Sequence, residues 1–199
     1  DGFECDLRLT RDEIPVLWHN ASMLERAGST GLIAELTFNQ VQQRYPQVLT
    51  LNDFLDIAIS ADKGVLLETK HPVISGNRIE EIVAKTLTER QVLNSIEVSV
   101  ISFSWNAIEK IKRLNREIPT TFLISKRSSL LAAKYSSAAN IGPSIELIRE
   151  EPGIIEKIRT WGKGADIWTV DHGSDIELCR DLGVDILITN TPAHARTFL

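Results

Sequence analysis

DGFECDLRLTRDEIPVLWH, residues 1–19, holds two short apolar runs on either side of a polar turn at residues 11–13. This pattern predicts an antiparallel hairpin. Side chains two residues apart on a strand point to the same face, about 6.5 Å apart. Glu4 and Asp6 can therefore converge on one cation, and the returning arm carries His19 towards them.

A second group of charged residues follows a short apolar strand further along the chain. Glu68 and Lys70 are again two residues apart, so both side chains point to one face. Three acids, one imidazole and one ammonium are what a metal-assisted phosphodiester site requires. Lys70 has a simpler alternative role as a salt-bridge partner of Glu68.

Short runs rich in Val, Ile and Leu alternate with stretches of helical period along the rest of the chain, a pattern that favours βα units around a parallel sheet. Thr50 and Asp53 indicate a capped helix start, and Gly183 a helix stop. Pro152 and Pro192 each suit a first helical turn. We predict strands at 3–7, 15–18, 65–69, 98–103, 120–124, 138–142, 167–170 and 185–189. Apolar helix stripes are predicted at Leu51/Phe54/Leu55/Ala58, Ile79/Ile82/Val83/Leu87 and Ala107/Ile108/Ile111/Leu114.

Composition limits the class of protein. The 199 residues suit one domain spanning residues 1–199. The 22 basic and 27 acidic side chains give a net charge of −5, without a basic run, so we expect no nucleic-acid partner. No apolar run approaches the roughly 18 residues of a membrane span. Cys5 and Cys179 fit buried thiols in a reducing compartment, so we expect a cytoplasmic location, with secretion by an upstream signal as the alternative.

An ordered series of short motifs resembles the glycerophosphodiester phosphodiesterase family over nearly the whole chain. Each motif is weak alone, but their order is specific. The motifs are Glu4-x-Asp6, Leu9-Thr10, Pro15-Val16, His19, Leu24-x-Arg26, Gly31-Leu32, Glu68-x-Lys70-His71-Pro72, Ser102-Phe103, Gly142-Pro143-Ser144, Trp168-Thr169-Val170 and Thr189-x-x-Pro192.

The resemblance implies an α/β fold, a (β/α)8 TIM barrel whose first βα unit is absent from the sequence. The predicted strands comprise seven parallel strands and the antiparallel arm 15–18, whereas a TIM barrel has eight parallel strands. The family's first strand ends in His-Arg-Gly, which this chain lacks. We therefore expect the sequence to be an N-terminally incomplete chain, forming a distorted or incomplete barrel or one whose edge is capped by a partner.

The resemblance also implies roles for individual residues. Glu4, Asp6 and Glu68 would bind one divalent cation, and their all-oxygen character favours Mg²⁺ or Ca²⁺. His19 would be the general acid or base. Substrate-binding residues would be Lys70, which holds a phosphate oxygen, and Trp168, which lines the pocket. Arg26 would either approach the phosphate or form a structural salt bridge.

The implied reaction is metal-dependent hydrolysis of a small glycerophosphodiester to glycerol 3-phosphate and an alcohol. Two alternatives remain open: a lysophospholipase D-like enzyme acting on lipids, and a catalytically impaired barrel that binds a phosphorylated ligand. One departure from the family concerns His19, which is followed by Asn20 where the family usually has Asp. Tuning of the imidazole by a neighbouring carboxylate would then be weaker.

Overall fold

The predicted hairpin forms the start of the sheet. In the computed structural model, which describes residues 1–199, Gly2–Leu9 (β1) pairs antiparallel with Pro15–Leu17 (β2). The six following strands are all parallel to β1 and to one another: Gly64–Thr69 (β3), Val98–Ser102 (β4), Thr120–Ile124 (β5), Asn140–Pro143 (β6), Gly164–Ile167 (β7) and Ile186–Leu187 (β8).

The strand order is β2-β1-β3-β4-β5-β6-β7-β8, which gives the seven parallel strands and one antiparallel arm that the sequence predicts. Strands β1 and β8 do not pair, so the barrel is open between them. Of the forms expected, the structure has the incomplete barrel. A cavity of about 1790 Å³ separates the two edges, with Gly2 and Phe3 on one side and Ile186 and Leu187 on the other.

Helices cover the outer face of the sheet. They are Leu24–Ala27 (α1), Phe38–Arg44 (α2), Leu51–Ser60 (α3), Arg78–Glu89 (α4), Trp105–Leu114 (α5), Leu130–Tyr135 (α6), Ile145–Glu150 (α7), Ile154–Thr160 (α8), Gly173–Leu182 (α9) and Pro192–Ala195 (α10), with 3₁₀ turns at Ile33–Glu35, Val92–Asn94 and Arg127–Ser129. None of these helices has the length and apolar character needed to cross a bilayer.

Most helix signals in the sequence are confirmed. Thr50 and Asp53 form a reciprocal capping box at the start of α3. Gly183 ends α9 in the left-handed conformation, with φ of 62°, and Pro192 lies in the first turn of α10. The three apolar stripes pack against the strands, except that Leu114 at the end of α5 is 45% exposed.

Strand ends differ from the prediction by one to three residues at most strands, and two differences bear on how the sequence was interpreted. Strand β7 begins at Gly164 and ends at Ile167, so the segment predicted as a strand at 167–170 mostly follows it. The predicted range was shifted towards the β-prone residues after Ile167, because residue propensity says little about where strand pairing ends. Pro152 precedes α8 instead of lying in its first turn, since the N–H of Ile154 is bonded to the carbonyl of Glu151 in a preceding turn.

The alternation of side chains along β1 determines on which face of the sheet the candidate site lies. Cys5, Leu7 and Leu9 of β1 are buried in the core between sheet and helices. The intervening side chains therefore point to the barrel interior and its mouth. In βα barrels, functional residues gather at the carboxyl ends of the strands.

Candidate metal and catalytic site

The hairpin brings His19 back alongside the stretch of β1 that carries Asp6. Leu7 pairs with Leu17 in the ladder, and beyond the end of β2 the Trp18 N–H donates to the Asp6 carbonyl at 2.9 Å. Arg8 Nε donates to the His19 carbonyl, also at 2.9 Å. One backbone hydrogen bond and one from the Arg8 side chain thus hold the backbone of Trp18 and His19 against β1.

Register brings the three predicted acids together. Asp6 and Glu68 are direct partners in the parallel β1–β3 ladder, and Glu4 is one repeat earlier on the same face. One carboxylate oxygen from each residue lies within 4.8 Å of the corresponding oxygens of the other two. Oxygens bound to one Ca²⁺ at about 2.3–2.6 Å can be at most about twice that distance apart. The spacing and the all-oxygen donor set therefore fit a hard divalent cation.

Burial and the neighbouring negative charges raise the pKa of two of the three acids, Glu4 and Glu68. Burial is the first cause that raises the pKa of Glu4 to about 7, followed by the negative charges of Asp6 and Glu68. Glu4 is exposed and lines the cavity between the two sheet edges, beside Asp6 and Glu68. Burial also raises the pKa of Glu68, which the hydrogen bond and charge of Lys70 oppose.

The ammonium of Lys70 is shared between two of the acids. Lys70 Nζ lies 2.7 Å from Asp6 Oδ1 and 2.7 Å from Glu68 Oε1. Burial lowers the pKa of Lys70, but the hydrogen bonds to both carboxylates outweigh it and raise the pKa. The salt-bridge alternative is thus present and extends to Asp6, while contact with a phosphate stays a prediction.

We expect the affinity for a divalent cation to depend on pH through Glu4. Since its raised pKa is about 7, the carboxyl is mostly protonated at pH 6 and a cation must displace that proton. The association constant should therefore fall about tenfold per pH unit below pH 7 and level off above it. Calorimetric titration with Mg²⁺ and Ca²⁺ between pH 5.5 and 8.5 measures this slope. Glu4→Gln should flatten it, and a flat wild-type profile contradicts the prediction.

We expect Lys70→Met to act oppositely on stability with and without a cation. In chelator, Asp6 and Glu68 lose their shared ammonium, which should lower the free energy of unfolding by roughly 1.5–3 kcal/mol. A divalent cation should then raise the unfolding temperature of the variant more than that of the wild type. Thermal unfolding with EDTA and with Mg²⁺ or Ca²⁺ tests this, and equal cation-induced shifts would count against it.

Trp168 lies just after β7, at the same end of the barrel. Its indole Nε1 donates to the Gly142 carbonyl at 2.7 Å, and its ring packs edge-on against Phe103 with centroids 5.1 Å apart. The N–H is thus occupied, and Trp168 offers only ring surface. Ser102, part of the Ser102-Phe103 motif, is fully buried and donates to the Thr69 carbonyl at 2.8 Å, so it links the ends of β3 and β4.

Sequence reasoning missed three groups of residues at this end of the barrel. Arg8 continues the Glu4, Asp6 alternation, a spacing that could have identified it, and lies within electrostatic range of Asp6. Asp171 accepts hydrogen bonds from Thr189 and Asn190 and thereby joins the segments after β7 and β8. The third is Glu25, whose carboxylate accepts a hydrogen bond from the Asn20 amide, while Asn20 Oδ1 lies 2.7 Å from His19 Nδ1.

A separate pocket of about 450 Å³ adjoins His19. It is lined by Trp18, His19, Asn20, Ser22, Glu25 and Arg26, of which only the tryptophan is apolar. Arg26 forms no ion pair or side-chain hydrogen bond, so the structural salt bridge considered for it is absent and its guanidinium remains available. The pocket has the polar character that suits a small charged or hydroxylated group.

An open α/β barrel whose strand ends gather three acids, an ammonium and an imidazole defines a barrel enzyme with a candidate metal centre. Comparison with known proteins gives the family. The model of the glycerophosphoryl diester phosphodiesterase family matches residues 1–194. The chain belongs to this family and therefore to the phosphoric diester hydrolases.

Individual relatives agree with that assignment. The probable glycerophosphodiester phosphodiesterase 1 of Mycobacterium tuberculosis is 27% identical over 225 aligned positions, which cover 100% of this chain and 82% of the relative. An Oleispira antarctica phosphodiesterase, solved in complex with the product sn-glycerol-3-phosphate, superimposes with a TM-score of 0.83 at 20% identity, covering 98% of this chain and 83% of that one. A Parabacteroides distasonis glycerophosphodiester phosphodiesterase gives 0.81 at 19% identity, covering 98% and 82%. The fold is thus that of the family's TIM barrels.

Proposed function

We propose that this chain hydrolyses glycerophosphodiesters to glycerol 3-phosphate and an alcohol, with one bound Mg²⁺ or Ca²⁺ and with His19 as general acid or base. The observation that carries the proposal is the convergence of Glu4, Asp6 and Glu68, with all ligand oxygens within 4.8 Å of one another. The product sn-glycerol-3-phosphate in the Oleispira antarctica phosphodiesterase supports this substrate class.

The proposed roles of these residues are of two kinds: electrostatic binding of the cation and phosphate, and proton transfer. Glu4, Asp6 and Glu68 would hold the cation, which when bound offsets the negative charge of the phosphodiester and orients it. Lys70 can hold a phosphate oxygen as a compact point charge. His19, on the exposed arm beside the acids, takes the proton of the attacking oxygen or gives one to the departing oxygen.

The test is release of glycerol 3-phosphate from glycerophosphocholine by the purified chain, followed with a coupled enzyme assay. Release should require Mg²⁺ or Ca²⁺, stop in EDTA and resume when the cation is restored. Glu35→Gln is the control for loss of one surface carboxylate, since Glu35 is exposed and forms no ion pair. Absence of release with every divalent cation would reject the hydrolase proposal and favour a barrel that only binds phosphorylated ligands.

A second candidate is a lysophospholipase D-like activity, which exposed apolar side chains favour. Segments that follow three successive strands carry them at the same end of the barrel as the acids: Ile74 (91% exposed), Phe103 (43%) and Leu131 (69%). Apolar residues around a polar site suit an acyl chain lying beside it. The polar pocket next to His19 argues instead for a small head group.

Turnover of lysophosphatidylcholine against glycerophosphocholine separates the two candidates. Glycerophosphocholine should be the better substrate if the polar pocket dominates. Ile74→Ser should then leave both rates unchanged. A rate on the lipid that exceeds the other and falls in Ile74→Ser would favour the lipid activity.

A further inference from the structure

We infer that Asn20 and Glu25 are positioning residues that hold the neutral ring of His19 in the tautomer protonated on Nδ1. The other ring nitrogen, Nε2, is then the one that exchanges a proton with substrate. This inference rests on the proposed function for its catalytic consequence. The tautomer itself is a property of the folded chain.

Two hydrogen bonds in series join His19 to Asn20 and Asn20 to Glu25. His19 Nδ1 lies 2.7 Å from Asn20 Oδ1. The Asn20 amide nitrogen donates to Glu25 Oε2. Both polar ends of the Asn20 side chain are therefore engaged, one by the imidazole and one by the carboxylate.

The chemistry of the groups decides which atom donates in each of these two hydrogen bonds. An ionised carboxylate only accepts hydrogen bonds, so the NH₂ of Asn20 must face Glu25 and its oxygen must face His19. That oxygen also only accepts, so the proton between ring and amide must be on Nδ1. In histidines generally, the hydrogen bond made by one ring nitrogen decides which nitrogen carries the proton.

The surrounding loop holds Glu25 in place for this role. Trp18, the residue before His19, is buried, and its indole nitrogen donates to the Ser22 carbonyl at 3.1 Å. The Ser22 hydroxyl accepts the Leu24 N–H at 3.1 Å, at the start of α1. Glu25 forms no ion pair that would draw its carboxylate away. Its position relative to the imidazole is thus set by the fold of the segment between β2 and α1.

The arrangement accounts for the asparagine where the family usually has aspartate. A carboxylate still governs the imidazole, but it comes from Glu25, five residues further along, and acts through the amide of Asn20. Hydrogen bonds in such chains polarise and strengthen one another. The weaker tuning expected from Asn20 alone is therefore offset by Glu25.

Nitrogen-15 NMR of the ¹⁵N-histidine-labelled full chain tests the inference without any activity. Spectra are recorded at a pH where the ring is neutral, and His19→Ala identifies the signals of His19. The wild type should show a protonated Nδ1 and an unprotonated Nε2. Asn20→Ala should lose this preference, Glu25→Gln should weaken it because the amide can then reverse, and Asn20→Asp should keep it because a carboxylate oxygen faces Nδ1. Glu35→Gln, the matched surface control, should match the wild type.

Steady-state kinetics of the same variants tests the catalytic consequence. Asn20→Ala should lower kcat about tenfold or more, with KM within about twofold, as for loss of an orienting partner of a functional histidine. Asn20→Asp should retain most of the rate. A wild-type His19 protonated on Nε2, or an Asn20→Ala spectrum identical to the wild type, overturns the inference. If the wild type shows no phosphodiesterase activity, the proposed function fails while the tautomer result still decides this inference.

Discussion

Replacing Glu68 with glutamine is expected to weaken binding of Mg²⁺ or Ca²⁺ by about 100-fold or more, with a loss of turnover in proportion. Residues that merely orient metal ligands are worth about 10- to 100-fold in affinity, so a direct ligand should be worth at least the upper value. Glu68 is the most buried of the three acids, with 7% exposure. The amide that replaces it keeps the shape but supplies no negative charge.

The fold should survive this change, because Glu68 points to the barrel mouth while the neighbouring Leu67 packs in the outer core. Calorimetric titration at pH 8 measures the affinity. The unfolding temperature in EDTA should shift by less than about 4 °C, which for this length corresponds to about 1 kcal/mol. Glu35→Gln is the control. Unchanged cation affinity would show that Glu68 is no ligand, and collapse of the fold would show that its role is structural.

Replacing His19 with alanine is expected to lower kcat by about 10²- to 10⁴-fold, the usual contribution of one positioned proton-transfer group. Cation affinity should stay within about twofold of the wild type, because the carboxylates come from β1 and β3 while His19 follows β2. The two variants therefore separate metal binding from proton transfer.

Steady-state kinetics with glycerophosphocholine, together with cation titration of the same preparations, measures both quantities. His194→Ala is the control, since His194 is exposed and its ring packs edge-on against Phe198. If His19→Ala keeps wild-type kcat, another group performs the proton transfer. Loss of cation affinity in His19→Ala would instead mean that the imidazole helps to hold the metal.

Local signals in the sequence predicted much of the fold. The alternation at residues 3–7 and the turn at 11–13 predicted the hairpin because period-2 burial and turn chemistry act over a few residues. The Thr50 and Asp53 capping box worked for the same reason. The boundaries of β7 were predicted less well, because a strand ends where its partner ends, and the partner is distant in sequence.

The site shows the same division. Spacing predicted that Glu4 and Asp6 share a face and that the hairpin returns His19 to them, and the family resemblance assigned Glu68 to the same cation. The bridging of Lys70 between Asp6 and Glu68 could not be predicted, since it depends on the β1–β3 register.

The sequence alone determined the family, the alternation of strands and helices, and which residue types are available for metal and proton chemistry. Tertiary structure alone decided that three carboxylates meet within 4.8 Å, that burial and mutual repulsion raise the pKa of Glu4 to about 7, and that Glu25 reaches the imidazole through Asn20. The physical reason is the separation along the sequence between the residues that interact. Turns, caps and side-chain alternation are fixed by neighbours along the chain, whereas electrostatics and hydrogen-bond direction are fixed by neighbours in space.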